Sequence, residues 1–125
     1  MKRSIHFEQC SKTEQSKLAA LKAVLEKTEV PFQNGDTVGI KLHWGEVGNN
    51  HFLSPVYAKE IAQWLTGKKI KPFVFDTTVL YSGGRREGQE SLKTASSHGF
   101  TEEFLGCPVK IGDGIDGKSV IDIPA

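Results

Sequence analysis

The sequence lacks a long apolar run, an excess of one charge and a closely spaced set of cysteines. Its 125 residues include 16 lysines and arginines against 15 aspartates and glutamates, so the net charge is +1. Without a basic excess, little counterion release is available for non-specific nucleic-acid binding, and we expect no nucleic-acid partner. The apolar runs span only a few residues, so we expect no membrane-spanning helix and no membrane partner. No apolar segment follows the basic N-terminus, so no secretory signal is predicted.

The two cysteines, Cys10 and Cys107, stand far apart in the sequence. They are too few for a disulfide framework or a four-thiolate metal site. Because cytosolic thiols stay reduced, we predict two free thiols and a cytoplasmic location. We expect Cys107 at the start of a strand and away from any ligand, so it is not a predicted nucleophile.

Helical and strand patterns alternate along the chain, which favours an α/β architecture. We predict a three-layer αβα sandwich with a mainly parallel, Rossmann-like open sheet. No linker-like stretch divides the chain, so residues 1–125 are predicted to form a single domain. The predicted helices cover residues 11–28, 55–67 and 89–98 with an extra turn at 101–105, and the predicted strands cover residues 37–42, 73–75, 107–111 and 119–123.

Local signals set several of these boundaries. Ser11 followed by Glu14 has the spacing of a capping box at a helix start. Ser54 and Pro55 are typical of an N-cap and the first helical residue. Gly39 leaves one face of the first strand without a side chain, which predicts close packing of a helix over it.

Polar residues gather where three predicted strands end, at His43, Asp76 and Gly112. Right-handed crossovers between parallel strands bring such ends to the same edge of a sheet. Ligands of open α/β sheets bind at that carboxyl edge. The sequence therefore predicts a ligand site there.

One interpretation of this edge is a metal site. The first exit carries His43, Glu46 and His51, and two imidazoles with a carboxylate suit zinc or iron. Asp76 at the second exit could complete the set, so His43, His51 and Asp76 are the candidate metal ligands. The alternative is structural, with both histidines capping loop backbone.

A second interpretation is anion binding. Lys41 and His43 alternate on one strand face, near free N–H groups of the helix that starts at Ser54. Arg85 and Arg86 follow two glycines and could clamp a phosphate or carboxylate. The alternative is a solvated turn with surface arginines.

Two other residues have weaker functional signals. Asp113 lies between glycines, as in a tight turn, but could point into a site shared with Asp76 and His43. His98 stands at a helix C-terminus, where a cation is favoured by the helix dipole.

Several motifs together resemble a known family. They are Ile40-Lys41-Leu42-His43-Trp44-Gly45-Glu46-Val47-Gly48-Asn49, Pro72-Phe73-Val74-Phe75-Asp76-Thr77-Thr78 with Tyr81 and Arg85, His98-Gly99-Phe100, and Pro108-Val109-Lys110-Ile111-Gly112-Asp113-Gly114. In this order, between Asp36 and Gly117, the chain resembles the domain-of-unknown-function family numbered 362. The resemblance implies functional positions at Lys41, His43, Gly45, Glu46, Asp76, Thr77, Tyr81, Arg85, Asp113 and Gly114. With Arg86 added from the anion interpretation, the candidate ligand-binding residues are Lys41, His43, Glu46, Asp76, Thr77, Tyr81, Arg85, Arg86 and Asp113.

The resemblance implies no established activity, but many family members carry ferredoxin-type modules with 4Fe–4S clusters. Such a module needs closely spaced cysteines, as in C-x-x-C-x-x-C, and this chain has none. We therefore expect no cofactor within these residues. We expect the chain to be the N-terminal fragment of a longer protein, with a 4Fe–4S cluster in the missing C-terminal part.

Three hypotheses follow from these features. The chain is the ligand-binding domain of an iron–sulfur protein, a metal-dependent enzyme, or a non-catalytic domain that binds a small anionic ligand. In the enzyme hypothesis a metal held by His43, Glu46, His51 and Asp76 activates water. The sequence alone leaves open whether the protein is an enzyme.

Overall fold

The computed structural model describes residues 4–120 and contains four helices and three strands in that range. The elements are α1 (Glu14–Lys27), β1 (Thr37–Lys41), α2 (Pro55–Gly67), β2 (Lys71–Asp76), α3 (Gly88–Ser97), α4 (Glu102–Leu105) and β3 (Val109–Ile111). Among the described residues, no helix combines the length and apolarity needed to cross a membrane.

The three strands form one parallel sheet in the order β1-β2-β3. Thr37 pairs with Lys71 at the start of β1, and Val74 pairs with Val109 where β3 joins. Helices connect the strands, as parallel pairing requires. The predicted α/β class, parallel sheet and flanking helices are confirmed.

The core lies between one face of the sheet and the helices. Side chains alternate between the two faces of a strand, and Ile40, Val74 and Ile111 point to the same face. The core residues are Ile40, Trp44, Ala58, Ala62, Leu65, Ile70, Val74, Ala95, Phe100, Leu105, Cys107 and Ile111. Small residues on α2 let that helix lie close to the sheet, which fixes the position of the carboxyl edge.

The helix boundaries correct part of the prediction. Thr13, not Ser11, is the N-cap of α1, because its hydroxyl accepts a hydrogen bond from the Ser16 N–H. The Ser11 hydroxyl pairs with the Thr13 hydroxyl instead. The predicted start of α2 is confirmed, since the Ser54 side chain caps the Val56 N–H and Pro55 is the first helical residue. The helix ends at Gly67, as predicted.

The strand boundaries also differ from the prediction. β1 ends at Lys41, although the Leu42 N–H still bonds to the Phe75 carbonyl. β3 begins at Val109, because Pro108 has no N–H for the ladder. The first two residues of the predicted strand 119–123 are not in a strand, and the other three lie outside the described residues.

Aromatic rings, not a helix, cover Gly39. A Cβ at this position would lie 2.8 Å from both the Phe73 ring and the Phe75 ring. The two rings belong to the neighbouring strand, and their centroids are 5.6 Å apart. The expectation of close packing at Gly39 holds, but the predicted partner was wrong.

A buried tryptophan fixes the loop after β1 to α3. The side chain of Trp44 is fully buried, and its indole N–H donates to the hydroxyl of Ser91 at 3.2 Å. Ser91 is equally buried, so each group depends on the other for its hydrogen bond. This contact holds the polar residues on either side of Trp44 at the edge of the sheet.

Replacement of Ser91 by alanine tests this contact. We expect the free energy of unfolding to fall by about 1–3 kcal/mol, because the Trp44 N–H is left buried without an acceptor. Urea denaturation measures the loss. Ser96→Ala is the matched control on the exposed side of the same helix, where the change is expected to stay within about 0.5 kcal/mol. Equal losses of unfolding free energy in Ser91→Ala and Ser96→Ala would contradict a stabilising role of the hydrogen bond between Trp44 and Ser91.

Candidate ligand-binding site at the carboxyl edge

The centre of the site is Asp76, the last residue of β2. Only 1% of this residue is exposed. One carboxylate oxygen accepts hydrogen bonds from Lys41 Nζ and the Thr77 N–H, both at 2.8 Å. The other accepts from Arg85 Nη2 at 2.6 Å and lies 3.7 Å from His43 Nδ1. A buried carboxylate requires such partners, since an unpaired buried charge is strongly unfavourable.

Arg85 connects Asp76 to the first loop. Its guanidinium is 4% exposed and donates to Glu46 Oε1 at 2.7 Å through Nη1. Glu46 Oε1 also accepts the Tyr81 hydroxyl proton at 2.6 Å. Arg85 Nε is buried and has no hydrogen-bond partner. The planar fork of an arginine suits this bridging of two carboxylates.

These contacts make a continuous chain of alternating charge. We call it the edge network, and it consists of Lys41, His43, Glu46, Asp76, Tyr81 and Arg85. All six were predicted from the sequence, and the structure brings them together from two loops and two strand ends. Its two carboxylates balance the charges of its lysine and arginine.

Glu46 and Tyr81 are not prepared to exchange protons near neutral pH. The hydrogen bond from Tyr81, opposed by partial burial and assisted by Arg85, holds the pKa of Glu46 below its ordinary value. The same hydrogen bond raises the pKa of Tyr81. Glu46 therefore stays ionised and Tyr81 stays protonated, as in a binding site rather than an acid–base pair.

The removal of the Tyr81 hydroxyl tests this coupling. In Tyr81→Phe we expect the pKa of Glu46 to rise, because its largest stabilising hydrogen bond is lost. A lowered folded-state pKa stabilises the fold above the unfolded pKa and loses that effect as pH falls through the folded pKa. As the pH falls, the stabilisation from Glu46 should therefore be lost at a higher pH in the variant than in the wild type. NMR titration of the carboxylate carbons measures the change, and an unaltered Glu46 titration would contradict it.

Asp113 joins the loop after β2 to the loop after β3. Its carboxylate is the internal control for the NMR titration of Tyr81→Phe. It accepts the Thr78 N–H at 2.9 Å and the Thr78 hydroxyl proton. Burial raises the pKa of Asp113, but the Thr78 hydrogen bonds outweigh it and the net shift is downward. No role was predicted for Thr78. Its hydroxyl, two positions after the end of a buried strand, was the signal in the sequence that could have indicated one. Asp113 thus binds the protein's own loop.

Four predicted site residues lie outside the edge network, namely Asp113, Arg86, His51 and Thr77. Arg86 is exposed, and its backbone N–H bonds to the Gly83 carbonyl. It therefore does not share a clamp with Arg85, whose guanidinium faces Glu46 and Asp76. His51 is also exposed, and its backbone N–H bonds to Asn49. Thr77 contributes its backbone N–H to Asp76 and no side-chain hydrogen bond.

The candidate metal ligands do not converge. Within residues 4–120, no three His, Cys, Asp or Glu side chains are grouped so that they could hold a metal ion. His43 and Asp76 are neighbours, but the other side chains in contact with the Asp76 carboxylate are those of Lys41 and Arg85. The metal hypothesis stays a prediction that this arrangement does not support.

His98 lies at the C-terminus of α3, as predicted, and also contacts the loop after β1. It is the C-cap residue of α3, and its Nδ1 is 2.7 Å from the Trp44 carbonyl oxygen. Its ring stacks on Phe52 with centroids 4.3 Å apart. Because a carbonyl only accepts, Nδ1 carries a proton. His98 therefore fixes the loop next to the edge network.

The family comparison agrees with these features. A model of a domain of unknown function, DUF362, matches residues 38–125, which is more than half of the chain. The chain belongs to the DUF362 family. The match includes every residue of the edge network in this DUF362 chain. Comparisons with curated proteins and with solved structures found no match.

The residues of the DUF362 chain do not fit an iron–sulfur cluster. A 4Fe–4S cluster requires four thiolate ligands, and the sequence has two cysteines. Cys10 is exposed and Cys107 is buried in the core, where burial raises the pKa of its thiol.

Proposed function

We propose that the carboxyl edge of this DUF362 domain binds a small anionic ligand, with Lys41 and His43 as the contacting residues. The observation that carries the proposal is the arrangement around Asp76. Two basic side chains lie against its buried carboxylate, and each is more than half exposed, at 52% for Lys41 and 56% for His43. A buried acid that orients exposed basic side chains is a prepared anion site, because these side chains lose little freedom on binding.

Unused hydrogen-bond donors, not net charge, support an anion rather than a cation as the ligand. Arg85 lies between Glu46 and Asp76 and neutralises carboxylate charge from the buried side. Lys41 uses two of its three N–H donors, on Asp76 and on the Leu42 carbonyl. The third donor and the His43 ring remain for a phosphate or carboxylate group.

The test uses inorganic phosphate as the probe. Thermal denaturation is followed in sodium phosphate and in sodium chloride at equal ionic strength. A ligand at one hundred times its dissociation constant stabilises the folded state by about 2.7 kcal/mol. We expect a phosphate-specific gain in the wild type and its loss in His43→Gln and in Lys41→Gln.

The matched control is Lys71→Gln, at the opposite end of the same sheet face. Phosphate also stabilises proteins by exclusion from their surface, and that effect is the same in all variants. The control is therefore expected to keep the full gain. Equal gains in the wild type and both site variants, or no gain in the wild type, would refute the proposal.

A second part of the proposal rests on the family resemblance alone. It holds that the domain works beside a 4Fe–4S module encoded outside these 125 residues and in the cytoplasm, where its two thiols stay free. The nucleotide sequence after the Ala125 codon tests the module. A reading frame with C-x-x-C-x-x-C motifs would support it, and a stop codon would overturn it.

A further inference from the structure

One face of the sheet is exposed across all three strands. The helices pack on the face that contains Ile40, Val74 and Ile111. The opposite face, which we call the open face, carries Thr37, Gly39 and Lys41 from β1, Lys71, Phe73 and Phe75 from β2, and Lys110 from β3. Parallel sheets are normally covered on both faces. In an αβα sandwich a second helical layer would lie on the open face.

The centre of the open face is apolar. Phe73 and Phe75 are each only partly buried. The Phe75 ring lies between two glycines, because a Cβ at Gly39 would be 2.8 Å from one of its edges and a Cβ at Gly112 would be 2.7 Å from the other. The rings therefore lie against backbone and leave an aromatic surface that can receive another element.

The border of the open face is basic. Lys71 and Lys110 are exposed, and Lys110 Nζ lies 4.7 Å from the centre of the Phe73 ring. Lys41 stands at the carboxyl end of the same face. The strand residues on the open face include no acidic residue. The surface therefore combines a central apolar patch with positive charge around it.

A second copy of this chain conflicts with this charge pattern. Packed face to face, it would set lysines against lysines, which is unfavourable.

We propose that the open face binds an acidic amphipathic helix of a partner protein. The apolar stripe of the helix packs on Phe73 and Phe75, and its flanking carboxylates face Lys71 and Lys110. A helix is the element that covers parallel strands in α/β folds, and the lysines select its charge. The open face shares Lys41 with the anion site, so the test leaves Lys41 unchanged.

The probes are two synthetic 18-residue amphipathic helices with the same leucine and alanine stripe. One has glutamates beside the stripe and the other has lysines. Binding to the 125-residue chain is measured by calorimetry and mapped by backbone NMR shifts. We expect the glutamate peptide to bind at least about tenfold more tightly, since like charges in an interface are penalised. The largest shifts are expected at residues 71–75 and at Lys110.

Charge reversal makes the test specific. In Lys71→Glu/Lys110→Glu the preference should change to the lysine peptide. The control, Lys17→Glu/Lys93→Glu, has the same net charge but changes exposed helix positions, and it should keep the original preference. Two results would overturn the proposal directly: no binding of either peptide, or a preference that follows net charge alone. Two further results would overturn the proposal in favour of another occupant. Shifts of these amides caused by oligo-dT alone would indicate a nucleic acid. Dimerisation through this face in sedimentation would indicate a second copy of the chain.

Discussion

Arg85→Met is expected to lower the free energy of unfolding by about 3–5 kcal/mol, because it removes one partner of a buried ion pair. Asp76 would remain almost fully buried and would retain only Lys41 and the Thr77 N–H as hydrogen-bond donors. Glu46 would also lose its ion pair with Arg85 and would keep the Tyr81 hydroxyl as its partner. Urea denaturation gives the loss from the midpoint and the slope.

Two variants separate this effect from the simple loss of a charge. Arg86→Met removes the exposed neighbouring guanidinium and should change stability by no more than about 0.5 kcal/mol. Arg85→Lys keeps the charge but cannot bridge two carboxylates with one fork, so its loss should be intermediate. If Arg85→Met is as mild as Arg86→Met, Asp76 and Glu46 do not depend on Arg85.

Gly45→Ala is expected to destabilise the fold by about 2–5 kcal/mol. Gly45 has a φ of +86°, where a side chain is unfavourable by about 1–2 kcal/mol. The added Cβ would also lie 2.6 Å from the Phe52 ring and 3.3 Å from His98 Nδ1. Overpacking of that kind adds about 1–3 kcal/mol. Chemical denaturation again measures the change.

The same loop supplies a matched control for the steric part. Gly48 has a φ of +79°, but a Cβ there would meet nothing within 4 Å. Gly48→Ala should therefore show only the backbone effect of about 1–2 kcal/mol. The difference between the two variants measures the packing of Phe52 and His98 against Gly45. Equal losses would show that this packing contributes nothing.

Short-range patterns predicted most of the fold. Ser54 and Pro55 mark the start of α2 correctly because both signals act within one turn of helix. The run that ends at Asp76 indicated a buried strand with a polar end. The pattern did not show which of Ser11 and Thr13 is the N-cap of α1. Both residue types are good N-caps, and the choice depends on where the helix packs.

The partner of each site residue could not be predicted. The topology brought Asp76 and Arg85 to the same edge, but only the structure shows that Arg85 faces inward and Arg86 outward. Neighbouring arginines have the same propensities, and their burial is decided by contacts with Glu46 and Asp76 from distant segments. For the same reason, the rings over Gly39 could not be distinguished from a helix.

The most direct test of the anion site is an NMR titration of the wild type with sodium phosphate at constant ionic strength, observed at the His43 ring and Lys41 Nζ. Both groups lie at the solvent side of Asp76. We predict saturable shifts of these two signals with one common dissociation constant and small shifts of the exposed His51 ring. Shifts that are absent at His43 and Lys41, or equal at His51, would contradict the central claim that the edge network is an anion site.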